Sequence, residues 1–386
     1  MGYGRINAFR AVDFADVMIK DWTGDDGTEP STPPGGDFWD FSDIVVRIND
    51  DNVFNPSNPS QSKNVEKGQS NFIYIQVTNR GPREARNVTV NCRITPYVGL
   101  QFVYPADWTT TDAMHVAPTP VTASFASVPS GGTVMAKFTI SAAQTDVLYG
   151  WENSNPWHPC LLASVIADND YAFATAGFSI DPISQRKNNI AQRNLTVIDV
   201  LADTGMSSVG FSFVAGNLLN KERFLQLQID RRAMPKGIKM LLSLDETGKI
   251  FPAVDFGAVN TIGDTDSDHG IIYHEKTKIE TTLGCCRGIL TLEKGSRFDC
   301  LPKRKLEPVE VKGGELIIRN NKRYVLLEDE ITIVQFSKTA QHIYPLTIFS
   351  ELNGQVKKGM EYTLKVSQQN AKGQTLGGAT AIYIGK

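Results

Sequence analysis

Asn71–Val90 reads NFIYIQVTNRGPREARNVTV. Ile73, Ile75 and Val77 fall on alternate residues. Past a turn at Gly81 and Pro82, Val88, Val90, Cys92 and Ile94 do the same, interleaved with Asn87, Thr89, Asn91 and Arg93. A period of two puts one apolar and one wet face on each run, the mark of half-buried strands. Gly81 and Pro82 turn the chain between the two runs, so the stretch predicts a β-hairpin.

Outward from this stretch the alternation recurs. Val134, Ala136, Phe138 and Ile140 show it, as do Leu225, Leu227 and Ile229, then Ile238, Met240, Leu242 and Leu244, and finally Tyr362, Leu364 and Val366. Clusters of Gly, Asn, Pro and Ser punctuate the runs. Many short alternating strands with such punctuation predict an all-β chain of sandwiches.

At 386 residues there is room for two or three domains. The simplest partition is a sandwich over 43–200 and a second over 201–386. The second is long for one sandwich, so 246–328, which holds the apparent hairpin ELIIRNNKRYVLLE, reads as an insertion. Thr23–Asp37 is acidic and rich in Pro and Gly. With nothing to bury, it extends to a linker over 21–42. Before it, Asn7 is placed to N-cap a helix from Ala8 to about Ile19, with Phe9, Val12 and Ala15 or Ile19 on one face. About three turns of helix need a body to pack on. The predicted fold is thus all-β, tandem β-sandwiches with a short N-terminal helix, of the immunoglobulin-like type that the resemblance given below implies.

A net charge of −3 argues against a nucleic-acid partner. No apolar run is long enough to span a membrane, and the first residues lack the basic and apolar regions of a signal peptide. Five cysteines, with no C-x-x-C pair, suggest neither a disulfide scaffold nor a zinc site. Cys285 and Cys286 are adjacent, so in a strand one would face the core and one the solvent.

Gly2–Val12, GYGRINAFRAV, resembles the closing segment of subtilisin-like catalytic domains, where a G-x-G-R-[VI]-[ND]-A pattern leads into the last helix. DIVVRINDD, Asn71–Val90, NNIAQRNLTVIDV and the closing EYTLKVSQQNAKGQTLGGATAIYIGK resemble bacterial immunoglobulin-like modules of the cell-adhesion-related type. The resemblance implies that residues 1–20 end a subtilisin-like domain, and that Gly2, Gly4, Asn7, Phe9 and Val12 dock on its body. The catalytic aspartate, histidine and serine of such a serine endopeptidase would lie upstream. This chain would be its non-catalytic accessory region, and the protease domain its partner.

The rest of the sequence offers no complete triad. Asp203-Thr-Gly and His269-Gly resemble two triad motifs, but no G-T-S-x-A-x-P serine segment follows, and acyl transfer lacks a nucleophile. Asp264, Asp266, Asp268 and Glu275 match the spacing of a calcium loop, so Ca2+ is a candidate ligand. His269 stands where the loop normally needs glycine, and a solvated hairpin tip is the plainer reading. Tyr149, Trp151, Trp157 and His158, in YGWENSNPWHPC, suit either sugar stacking or the capping of a sandwich core. The alternative to a protease accessory region is therefore a carbohydrate- or protein-binding adhesin-like surface module.

Overall fold

The structure, a computed structural model, describes residues 13–54, 65–95, 115–149, 159–170, 187–200, 209–217, 222–244 and 308–385 apart from a few positions within these spans. It also describes Phe102, Trp108 and four short strands between 259 and 291. The all-β expectation holds: two β-sandwiches follow one another, each around its own apolar core.

The first is built from β1 (Val17–Met18), β2 (Ile44–Arg47), β3 (Asn71–Asn79), β4 (Ala85–Thr95), β5 (Thr122–Val128) and β6 (Thr133–Ile140). A short helix α1 (Ala142–Tyr149) follows, then β7 (Cys160–Ile166) and β8 (Ile190–Arg193). One sheet has β3 in its middle, paired with β1, β2 and β6; the other runs β5-β4-β7-β8. All these pairings are antiparallel, an immunoglobulin-like build. Ile73, Ile75 and Val77 meet Val88, Val90, Cys92 and Ile94 across the core, as their alternation requires.

The hairpin expected over Asn71–Val90 does not form. β3 and β4 are consecutive but lie in opposite sheets, so Arg80–Glu84 arches across the sandwich. Asn79 sets that arch. Its side chain is fully buried, and its Nδ2 donates to the carbonyls of Arg83, Val128 and Pro129 at 2.7, 3.0 and 3.3 Å. Its Oδ1 accepts from the N–H groups of Asp16 and Gly81 at 3.2 and 3.0 Å. One side chain thereby satisfies backbone groups that a hairpin ladder would otherwise have paired.

The helix expected up to Ile19 is also corrected, as far as the described residues reach. Residues 1–12 lie outside them. From Asp13 the chain is extended, and Val17–Met18 form a strand on β3. Ala15, Val17 and Ile19 all enter the first core, a period of two. The neighbouring loops capture the backbone: Ala15 N–H donates to the Asn169 carbonyl and Ile19 N–H to that of Asn188, at 2.9 and 2.8 Å. Tertiary partners override a short helical pattern. The segment read as a linker is likewise packed where it is described, with Asp21, Asp25, Phe38 and Trp39 buried.

The second sandwich contains β9 (Leu195–Val200), β10 (Val209–Asn217), β11 (Arg223–Ala233) and β12 (Lys239–Ser243). The short strands β13 (Val259–Asn260) and β14 (Ile272–Tyr273) pair with each other, as do β15 (Lys278–Leu283) and β16 (Cys286–Thr291). Then come β17 (Pro308–Lys312), β18 (Gly314–Arg319), β19 (Lys322–Leu327), β20 (Ile331–Thr339), β21 (His342–Glu351), β22 (Glu361–Gln369) and β23 (Thr375–Gly385). One sheet is ordered β10-β21-β12-β19-β18 and the other β17-β20-β11-β22-β23-β9.

The expected closing hairpin is β22–β23, and ELIIRNNKRYVLLE is the hairpin β18–β19. That second hairpin is not inserted material. β19 pairs with β12 inside the main sheet, and Val325 and Leu327 are part of the core. Residues 308–328 therefore belong to the sandwich. β17 passes into β18, on the other sheet, through Gly313, whose φ of +72° suits glycine and whose carbonyl accepts from Thr332 Oγ1 at 2.8 Å.

The passage between sandwiches also falls earlier than residue 200. β8 closes the first sandwich at Arg193. One residue later β9 runs parallel to β23, Leu195 opposite Thr380 through Val200 opposite Gly385.

Candidate functional site

Ionisable and aromatic side chains gather in two places: the segment 13–43 and the joint it helps to build. The first is a knot of carboxylates. Asp43 and Lys20 exchange backbone contacts. Asp43 N–H donates to the Lys20 carbonyl at 2.9 Å, and Asp43 Oδ2 accepts from Lys20 N–H at 3.1 Å. Asp25 folds back on its own loop, accepting from the N–H groups of Asp21 and Gly27 at 3.2 and 2.9 Å. Between them Asp21 is 1% exposed, and neither of its carboxylate oxygens has a hydrogen-bond partner among the described residues. Burial first, then the charges of Asp25 and Asp43, hold its pKa well above the usual carboxylate range. Burial lifts Asp43 to about 7, against the opposing hydrogen bond from Lys20.

Around this knot the segment is tied to the rest of the sandwich. Asp170 Oδ2 accepts from Val17 N–H and from Asn189 Nδ2 at 3.1 and 2.8 Å. Asn188 Nδ2 donates to Asp16 Oδ1 at 2.8 Å, and Glu29 pairs with Lys187 at 3.1 Å. Arg86 reaches Asp13 at 2.8 Å. Crowded carboxyls that share a shifted pKa are a familiar mark of acid–base sites. Here, however, Asp25 and Asp43 are bonded to the backbone of their own segment, and Asp21 is closed off by burial. Among the described residues, no three His, Cys, Asp or Glu side chains stand together so as to hold a metal ion. The chemistry left to the knot is proton uptake.

The joint is aromatic. Trp39 is fully buried, its ring edge-on to Phe38 with centroids 5.2 Å apart. Its Nε1 donates to Thr380 Oγ1 of β23 at 3.1 Å. The ring lies so close to Gly378 that a Cβ there would stand 2.1 Å from it. Asn194, also fully buried, completes the seam. Its N–H donates to the Trp39 carbonyl at 3.3 Å, its Nδ2 to the Gly378 carbonyl at 2.9 Å, and its own carbonyl accepts from Thr380 N–H at 3.0 Å. Asp37 and Lys365 form an ion pair beside it. The two sandwiches thus share a dry, hydrogen-bonded surface at the point where the chain passes from one to the other.

The residues singled out from sequence are mostly elsewhere. Gly2, Gly4, Asn7, Phe9 and Val12 lie outside the described residues, as do Trp151, Trp157 and His158. So do Asp203, Asp264, Asp266, Asp268, His269, Glu275 and Cys285. Tyr149 ends α1, and Cys286 opens β16. Cys92 and Cys160 are buried thiols, and burial pushes Cys92 up to about 12, which makes it inert. The sequence reading missed Asp21, Asp25, Asp43, Trp39 and Asn194. A signal was present for one of them: Phe38-Trp39-Asp-Phe41 is too apolar for a solvated linker.

No described helix is long and apolar enough to cross a membrane. No family model matches the chain, and no curated protein matches it. Among solved structures it is similar to the collagen adhesin of S. aureus, at 8% identity and a TM-score of 0.17, over 89% of this chain and 92% of that one. It is also similar to the C-terminal domain of the AgI/II polypeptide BspA of Streptococcus agalactiae. That match has 8% identity and a TM-score of 0.17, over 88% of this chain and 99% of that one. At such scores the likeness carries no argument about function.

Proposed function

We propose that this chain is a non-catalytic interaction module, the accessory region that follows a subtilisin-like serine protease domain and holds it in a fixed attitude. One observation carries the reading. The motif resembling the end of such a domain closes at Val12, and the first sandwich takes hold of the chain at the next residue. Asp13 pairs with Arg86, and the Ala15 N–H is bonded to Asn169. A protease domain that ended at Val12, short of the residue 20 that the resemblance implies, would have no free spacer before the sandwich. A body joined without slack has its orientation set by its neighbour, and the Trp39 seam passes that constraint to the second sandwich.

In this role the sandwiches stabilise the protease or present it to substrate. In this reading the acid, base and nucleophile of the reaction belong to the upstream protease domain.

The test is the DNA upstream of Met1 and the immediately preceding gene. A D-[TS]-G, H-G-T and G-T-S-x-A series in that order supports the reading. If the upstream frame and neighbouring gene carry no such series, the match at Gly2–Val12 is chance and the protease partner is withdrawn.

A further inference from the structure

The two sheets of the second sandwich end in contrasting edges on either side of Gly313. β17 is a guarded edge. It begins at Pro308, which has no N–H to offer, its register against β20 is broken by a bulge, and Glu310 and Lys312 form an ion pair on it at 3.1 Å. β18 has no such device. It pairs with β19 in unbroken register from Gly314 to Arg319 and, among the described residues, is the terminal strand of its sheet, with no proline, bulge or lysine within it.

Its apolar residues are also uncovered. Leu316 lies opposite Val325 on the face that turns towards the core, yet it is 47% exposed, and Ile318 beside it is 71% exposed. Covering both side chains would remove apolar surface from water, which favours association. An open strand edge with an apolar lip is a site for strand addition.

The sequence of β18 selects the occupant. Gly-Glu-Leu-Ile-Ile-Arg complements itself when laid antiparallel against a second copy about Ile317. Glu315 then lies opposite Arg319, Leu316 opposite Ile318, and Ile317 opposite itself. Opposite charges meet at both ends on one face, and apolar pairs meet on the other. A parallel register would put Glu315 against Glu315 and Arg319 against Arg319, which is repulsive. Within its own chain Arg319 contacts Glu351 at 3.4 Å, a half-exposed pair that uses one of its five donors.

We infer that β18 is a homotypic interaction surface, through which two copies of this chain join edge to edge about a two-fold axis at Ile317. The arrangement is isologous and closed, so it yields dimers rather than fibres. The interface is small, and the affinity expected is micromolar.

Sedimentation velocity of the full chain over a concentration series tests this. A monomer–dimer equilibrium is expected. Ile318→Lys should raise the dissociation constant at least about tenfold, and so should Glu315→Arg. The double swap Glu315→Arg/Arg319→Glu should restore dimerisation, which a merely misfolded variant cannot do. Ile317→Cys should cross-link to a covalent dimer under a mild thiol oxidant when the unsubstituted chain does not. Circular dichroism and melting curves check that each variant is folded. A chain that stays monomeric at high micromolar concentration overturns the inference. A dimer indifferent to Ile318→Lys and to the charge swap, or one that Ile317→Cys fails to cross-link, does so equally.

Discussion

Asp21 and Asp43 are residues whose protonation is part of the fold. Both have folded-state pKa values raised above the unfolded carboxylate range, so the folded state holds protons that the unfolded state has released. Their burial is harmless below pH ~4, where both states are protonated. As pH rises from there through about 7, the Asp43 value, stability is lost progressively. The melting temperature of the first sandwich should therefore fall across this window. Asp43→Asn should flatten that slope and exceed the parent protein by about 2 kcal/mol at pH 8. A slope unchanged in both Asp21→Asn and Asp43→Asn would remove the carboxylates as its cause. Asn79 is the opposite case, a polar residue whose five hydrogen bonds are all made. Asn79→Ala removes the side-chain partner of three carbonyls and two N–H groups in and around the arch, of which the Pro129 carbonyl keeps the Gly132 N–H, and is expected to destabilise the first sandwich by about 3 kcal/mol or more, read by chemical denaturation.

At the scale of the element, the seam between the sandwiches depends on a missing side chain. A Cβ at 378 would overlap the Trp39 ring, and the indole is held by Phe38 and Thr380 while Asn194 bonds the Trp39 carbonyl. Gly378→Ala should force the ring out and uncouple the two bodies. Calorimetry should then resolve two transitions where the parent chain has a more concerted one, and protease should cut near Asn194 sooner. Trp39→Ala should act in the same direction, at a cost of about 3–5 kcal/mol. Equal cooperativity in all three proteins would show that the seam carries no coupling. This seam also shows where sequence reading stops. Strands such as β4, β11, β12 and β22 were legible because alternation is local, and a period of two needs no knowledge of partners. Which sheet a strand joins is not local. The arch at Asn79 looks like a hairpin turn until Val128 and Pro129 are brought beside it. The pairing of β19 with β12, which moves 308–328 into the body, is equally invisible along the chain. At the start, Asn7 to Ile19 carries a helical spacing and Ala15, Val17 and Ile19 a strand spacing. Asn169, Asp170 and Asn188 decide between them from more than 150 residues away. The carboxylate knot was hidden for the same reason: acidic residues among Pro and Gly read as solvated until a fold closes over them.

Across the whole molecule, the two sandwiches are joined by backbone as well as by side chains, since β9 leaves the first body and lies parallel on β23 of the second. β23 comes far later in the sequence than β9, at Thr375–Gly385. A ribosome delivers Leu195–Val200 long before it delivers Thr375–Gly385, so throughout the synthesis of the second sandwich that strand has no seat. Parallel pairing across so wide a gap in sequence is slow to close. The first sandwich can mature early, but the attitude of one body to the other is set only once Thr375–Gly385 have emerged. A chain cut short before Thr375 should keep the hydrogen-exchange protection of β3 and β4 and lose that of β9. Protection of β9 in the shortened chain would show that it finds its place without β23. β23 thus serves as a checkpoint, closing the joint only on chains that have been synthesised through Gly385.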